Sequence, residues 1–226
     1  MTKKDNGKTK VAEGKQIIIE PLDLRFLVVE IEGDAPYCQN KFSAKAKAKI
    51  REKQAQGSLG NKLKKKEKKD FVRLFEQAQH VAEDETGTWN GIPTPAFRNA
   101  CISACRLAGF KMTHAKLSLF ILADGSDRDD HTPLTRITVG EPVYAEHTVR
   151  NESGVCDLRP RPLWPAGWRA KVTVKYDAAQ FSEDDVMNLL ERAGSQVGIG
   201  EGRPDSKKSA GIGYGTFKTV GAVAHD

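Results

Sequence analysis

Some apolar residues of this chain fall in stretches where they alternate with polar ones. Others recur at helical spacing. The cleanest alternation is Arg169–Tyr176 (RAKVTVKY): Ala170, Val172, Val174 and Tyr176 share one face, and Arg169, Lys171, Thr173 and Lys175 the other. Successive strand residues point to opposite sides, so this pattern predicts a sheet with one packed face and one basic face. A first strand is predicted within Gln16–Ile31, where Leu24, Phe26, Val28 and Ile31 sit among β-branched neighbours. Gly33-Asp34-Ala35-Pro36 ends it as a turn. Further strands are predicted over Leu117–Ala123, Leu134–Val139, Val143–Val149 and Tyr214–Val223.

Three stretches read as helices. Asp70 is placed to cap Phe71–Val81, whose Phe71, Leu74, Phe75 and Ala78 share a face. Within Gly91–Gly109, Thr94 is the expected cap and Pro95 suits the first helical position. Phe97, Cys101, Ala104, Cys105 and Ala108 then recur at helical spacing, and Gly109 supplies the stop. Ser182-Glu183-Asp184-Asp185 opens the third helix as a capping box, continued by Val186, Leu189, Leu190 and Ala193. With insertions set aside, the order is βαββαβ, which predicts an α+β protein: a ferredoxin-like or RRM-like antiparallel sheet backed by two helices. Modules of that shape use the free sheet face for single-stranded RNA, but a fold alone assigns no function.

Between the last helix and the last strand lies Val197–Phe217, with glycines at 198, 200, 202, 211, 213 and 215. Such a density of glycine is unfavourable unless the backbone needs positive φ or close approach. A dinucleotide loop runs from strand to helix and sets phosphate at a helix N-terminus. This loop instead leaves a helix C-terminus, whose partial charge repels phosphate. Two readings stay open. One is a flexible surface hairpin, or a Schellman-type cap at Gly194 followed by a loop. The other is a loop whose amides at Gly200, Gly202, Gly211 and Gly213, with Arg203, Lys207 and Lys208, hold a nucleic-acid backbone.

Charge adds a second feature. The net charge is +6, yet Lys41–Lys69 alone holds twelve Lys or Arg against Glu52 and Glu67, so the remaining chain is slightly acidic. One concentrated basic segment predicts a dedicated polyanion contact through Lys45, Lys47, Lys49, Arg51, Lys62, Lys64, Lys65 and Lys66; a merely solubilising lysine loop is the alternative. Gly57, Ser58, Gly60 and Asn61 interrupt it, so it reads as an insertion at about 41–69 in a single domain of residues 16–226, after a disordered tail over 1–15. Arg98, near a helix start, is a candidate phosphate contact. Arg150, Arg159 and Arg161 beside Trp164 and Trp168 resemble a surface for phosphates and stacked bases, unless the tryptophans plug the core.

The remaining chemistry is sparse. Asp124–Asp130 beside His131 does not match a calcium loop and is expected to be an exposed hairpin turn. Cys38, Cys101, Cys105 and Cys156 form no metal-ligand pair, so a reducing cytoplasm without cofactor or structural metal is expected. No apolar run approaches the ~20 residues of a membrane span. His147 and His114 are available as acid–base groups, but neither has an identifiable nucleophile partner.

The Gly33–Pro36 turn, the Ile92-Pro93-Thr94-Pro95-Ala96-Phe97-Arg98 helix start and the Gly198–Gly215 loop together resemble the RAMP superfamily, which includes backbone subunits of CRISPR effector complexes. The order also resembles uncharacterised bacteriophage proteins with the Asp157–Trp168 segment and the GIGEGRP run. The resemblance covers roughly residues 16–223. It implies a non-catalytic, sequence-tolerant subunit, phage-encoded and acting in the bacterial cytoplasm, that binds single-stranded RNA or DNA and lies beside copies of itself or other nucleoprotein subunits. Two alternatives follow from the same resemblance: a module that mimics a CRISPR backbone subunit, or a metal-independent RNA-processing nuclease using His147 or His114.

Overall fold

The computed structural model describes residues 21–42, 47, 48, 51, 69–150, 154, 156–207 and 211–225. The expected tail at 1–15 lies outside these residues, as do Lys45, Lys49, Lys62, Lys64, Lys65, Lys66 and Lys208.

The chain enters as β1 (Leu24–Gly33) and the short β2 (Tyr37–Cys38). After the basic segment come α1 (Phe71–Gln77), the hairpin β3 (Val81–Asp84) and β4 (Gly87–Pro93), then α2 (Thr94–Ala108). Next are α3 (Met112–Ser118), β5 (Leu119–Leu122), β6 (Gly125–Ser126) and β7 (Pro133–Val139). A second hairpin, β8 (Val143–Arg150) and β9 (Cys156–Trp164), leads to β10 (Arg169–Asp177), α4 (Glu183–Arg192) and β11 (Phe217–His225).

The main sheet runs β11-β1-β10-β7-β4-β3, with β5 also paired to β10 and β6 to β7; β2-β9-β8 form a second sheet. One edge of β10 is divided: Thr173–Tyr176 pair with β5, while Arg169 and Ala170 pair with β7. Every pairing is antiparallel. The elements expected from the βαββαβ pattern form the order β11-β1-β10-β5, backed by α2 and α4, an α+β arrangement consistent with the sequence reading. The strands from β3 to β9, apart from β5, are additions to it.

The alternation in β10 holds: Ala170, Val172, Val174 and Tyr176 are buried. They face the same core as Leu27, Val29 and Ile31 of β1, with Phe97 and Cys101 of α2 and Leu190 of α4. Each fully buried large side chain contributes about 1.5–3 kcal/mol. Asp70 caps α1, its carboxylate accepting the Arg73 amide, and Ser182 with Asp185 forms the capping box of α4.

Several boundaries differ from expectation. Pro93, not Thr94, is the N-cap of α2; Thr94 is buried as the first helical residue and makes no capping bond. Leu117 and Ser118 end α3 instead of opening a strand, and Val81 begins β3 instead of ending α1. Ala108 is exposed. Trp164 and Trp168 have 0% and 1% exposure, so the base-stacking role expected of Trp164 is corrected to a core one. Trp168 lies on Gly33, where any side chain would overlap its indole, and its Nε1–H donates to the Ala35 carbonyl at 3.0 Å. That packing is why the turn begins with glycine.

Candidate nucleic-acid interface

After Arg192 the helix widens into one π turn, Ala193–Val197, and Gly198 (φ 69°) ends it by donating its N–H to the Ala193 carbonyl. Gly194 is buried inside that turn and is not a Schellman cap. The loop then folds back on itself. The Ile212 and Tyr214 amides donate to the Gly202 carbonyl at 2.9 and 3.2 Å, bringing the two glycine clusters together. The Ile199 amide donates to Gly215 at 3.0 Å and the Glu201 amide to Cys38 at 2.9 Å. The Gly215 amide donates to Pro36 at 2.7 Å. Gly215 needs positive φ (68°), and a side chain there would fall on the Ile199 carbonyl. The glycines therefore serve close internal approach first. Many of the loop's other amides are committed internally, while those of Gly200, Gly202 and Gly213, three of the four expected to meet a nucleic-acid backbone, have no acceptor among the described residues.

The outer side of this loop faces α2 across a cleft of about 480 Å³. Gly198, Gly200, Arg203, Asp205 and Lys207 line it on the loop side, and Asn99, Ser103, Met112 and Lys116 on the helix side. Lys116 and Lys207 are exposed and have no carboxylate partner among the described residues. Arg203 donates from NH1 to the Gly200 carbonyl at 3.1 Å. One acid shares the cleft: Asp205 Oδ2 accepts from Ser103 Oγ at 2.5 Å and from Arg106 NH2 at 2.6 Å. Those two donors hold its carboxyl below the usual range. Among the described residues the cleft thus carries three cations and one carboxylate, with polar groups able to bond phosphate or sugar oxygens.

Of the residues expected from sequence, Gly200, Arg203 and Lys207 meet in this cleft, and Gly202, Gly211 and Gly213 lie in the same loop. Asn99, Ser103 and Lys116 were not anticipated. Asn99, Ser103 and Arg106 form a polar stripe at helical spacing on an otherwise apolar helix, a signal that was legible.

Three other candidates, Arg98, Arg161 and Arg159, are engaged elsewhere. Arg98 donates from Nε to the Leu119 carbonyl at 3.0 Å and from NH2 to Lys116 at 2.5 Å, so it caps the end of α3 instead of facing a phosphate. Arg161 is buried and pairs with Glu201 at 2.6 Å, fastening the glycine loop to β9. Arg159 lies 3.4 Å from Asp157, which also takes Lys69. Arg150 ends β8. Arg51 is exposed and helical.

The acidic turn is not an exposed hairpin. Asp127 is fully buried and takes Lys41 Nζ at 2.6 Å, with His80 Nδ1 at 3.0 Å; Asp129 also takes Lys41, and Asp130 takes Lys47 at 2.7 Å. The described ends of the basic segment are thus docked on carboxylates of the same chain. His80, Asp127 and Asp130 offer ligand atoms within 4.8 Å of one another, a spacing that suits a metal ion, but the two ammonium groups already take the carboxylates. His147 lies against Tyr214, ring centroids 5.9 Å apart. Among the described residues neither His147 nor His114 hydrogen-bonds a nucleophile. Nor is any described helix long and apolar enough to cross a membrane.

Fold and site define an α+β protein with an antiparallel sheet, backing helices and a cation-lined cleft beside a glycine-rich loop. No known protein family matches the chain, and no curated protein does. Among solved structures, the chain is similar to one from the cryo-EM structure of the Type III-B Cmr-beta bound to cognate target RNA, at 10% identity and a TM-score of 0.49. The match covers 89% of this chain and 60% of that one, so this chain spans less than two thirds of its length.

Proposed function

We propose that the protein is a non-catalytic, sequence-tolerant binder of single-stranded nucleic acid, RNA or DNA, that holds the phosphate backbone in the cleft between α2 and the glycine-rich loop. The observation that carries this reading is the convergence of Lys116, Lys207 and Arg203 on one cleft, the two lysines without acid partners among the described residues. Exposed cations left unpaired around a concave polar site raise the local concentration of polyanions. The reading includes a RAMP-like architecture. The β11-β1-β10-β5 order supports it, as do the bonds joining the first turn to the glycine loop, Gly215 N–H to Pro36 and Asp34 N–H to Thr216 at 3.0 Å. Assembly beside copies of itself or other nucleoprotein subunits belongs to the same proposal.

The test is fluorescence polarisation with single-stranded RNA and DNA oligonucleotides across a salt series. Three phosphate contacts predict a log–log slope of about −2, at roughly −0.7 per contact. Lys116→Glu and Lys207→Glu should each weaken binding on every sequence tried. Affinity indifferent to salt, or unchanged in both variants, would overturn the proposal.

A further inference from the structure

The cleft leaves unexplained the face of the main sheet turned away from α2 and α4. Strand register places Phe26 of β1 opposite Lys175 of β10, and Lys175 opposite Phe120 of β5, one row across three adjacent strands. The next row is Val223, Val28, Thr173 and Leu122, and Lys171 stands one step further along β10 opposite Glu30. The buried positions of β1 and β10 alternate with these, so the rows lie on the face opposite the core. Val223 and Leu122 are 62% and 38% exposed, and Lys171 is exposed.

We infer that this face is a base-stacking surface for single-stranded nucleic acid, centred on Phe26, Lys175 and Phe120. Two cations lie at the Phe120 ring, Arg98 Cζ 5.0 Å and Lys175 Nζ 5.8 Å from its centroid. Partly open rings interleaved with lysines suit a ligand that has flat apolar faces and a negative charge at every repeat. Bases stack on the rings while phosphates meet the ammonium groups. Glu30, the acid in the adjoining row, is 3.8 Å from Arg169, which leaves Lys171 and Lys175 as the cations available to a ligand. Arg98 joins this surface to the cleft. The same guanidinium, 5.0 Å from the Phe120 centroid, bonds the carbonyl of Lys116, whose side chain lines the cleft.

This extends the backbone-binding reading to a second surface with a different preference, and a pair of probes separates the two. The full chain is titrated with an oligothymidylate and with an abasic phosphodiester chain of equal length. Stacking predicts that the oligothymidylate binds at least about fivefold tighter, from about 1 kcal/mol or more per stacked base. Phe26→Ala and Lys175→Glu should abolish that difference while leaving abasic binding within about twofold for Phe26→Ala, and Phe26→Trp should restore it. Lys116→Glu should weaken both probes. Equal affinity of the unaltered protein for the two probes would overturn this inference and leave the cleft reading standing; no binding of either overturns both. A face that instead pairs two copies of this chain would show as a dimer in sedimentation that Phe26→Ala dissociates, and that result also overturns it. Lys175→Glu, on the surface, carries the test should Phe26→Ala not fold.

Discussion

Asp127 accepts the Lys41 ammonium, lies against His80, and takes the amides of Val81, Asp129 and Asp130 at 3.2, 2.9 and 3.3 Å, all with its side chain wholly out of solvent. Removing it takes the acceptor from His80 and three amides and leaves the buried Lys41 with only the exposed Asp129, so Asp127→Ala should destabilise the protein by about 3–5 kcal/mol, read from the urea midpoint. Burial alone would raise this carboxyl's pKa, but Lys41, the Asp129 amide and His80 outweigh it and hold it below the ordinary 3.8. The folded form therefore stays ionised where the unfolded chain takes up protons. That stability is whole above the ordinary value and lost as pH falls through the lower, folded one. His80 adds an earlier stage. Burial, opposed by Asp127, pushes its pKa below the ordinary 6.5, so the unfolded chain protonates first and stability declines as pH drops below that value. Acid unfolding should proceed in these two stages, with His80→Gln removing the upper one and, because His80 helps hold Asp127 ionised, also changing the lower. In the cleft, Asp205 sits where a phosphate would meet Ser103 and Arg106. Asp205→Asn keeps a bond to Ser103 and removes the repulsion, so oligonucleotide affinity at low salt should rise about threefold by polarisation.

The helices and strands explain why some boundaries were readable. Phe97, Cys101, Ala104 and Cys105 recur because one face of α2 must meet the sheet, and Ser182 with Asp185 caps α4 through groups a few residues apart. These signals are local. The start of α2 is not, because Thr94 is drawn into the core and Pro93 takes the cap position. Leu117 and Ser118 read as strand, yet Arg98 caps the end of α3 from another helix and holds them helical. The glycine loop offers a paired comparison. Gly215→Ala meets both a positive φ and the Ile199 carbonyl, so it should cost at least about 3 kcal/mol and weaken nucleic-acid binding by displacing the loop. At Gly213 the φ is also positive (81°) but a side chain meets open space. Gly213→Ala should cost only about 1 kcal/mol and leave binding nearly unchanged. Thermal denaturation and polarisation on both variants check this.

Taken as one body, the protein sets its basic segment against its acidic turn. Lys41 and Lys47 bond Asp127, Asp129 and Asp130 across more than eighty residues of sequence. The uneven charge is visible in composition and predicts a contact for an outside polyanion, but part of it is internal. Asp130→Asn withdraws the partner of Lys47 at a partly exposed site and should cost no more than about 1 kcal/mol. The freed cation should steepen the salt dependence of nucleic-acid binding by about 0.7 in slope, measured across the same salt series.

Local order was the sequence's own contribution. The alternation of Arg169–Tyr176, the apolar stripe of α2, the caps at Asp70 and Ser182 and the strand–helix succession all follow from neighbours a few positions apart, so the α+β class was legible. Tertiary structure decided which charges and rings face solvent. Trp164 and Arg161 looked like ligand contacts until packing against Tyr37 and pairing with Glu201 enclosed them, while Lys116 and Asn99 gained a cleft only when the glycine loop folded opposite α2. The reason is that burial depends on partners far along the chain, and a side chain's own identity does not reveal which partner will reach it.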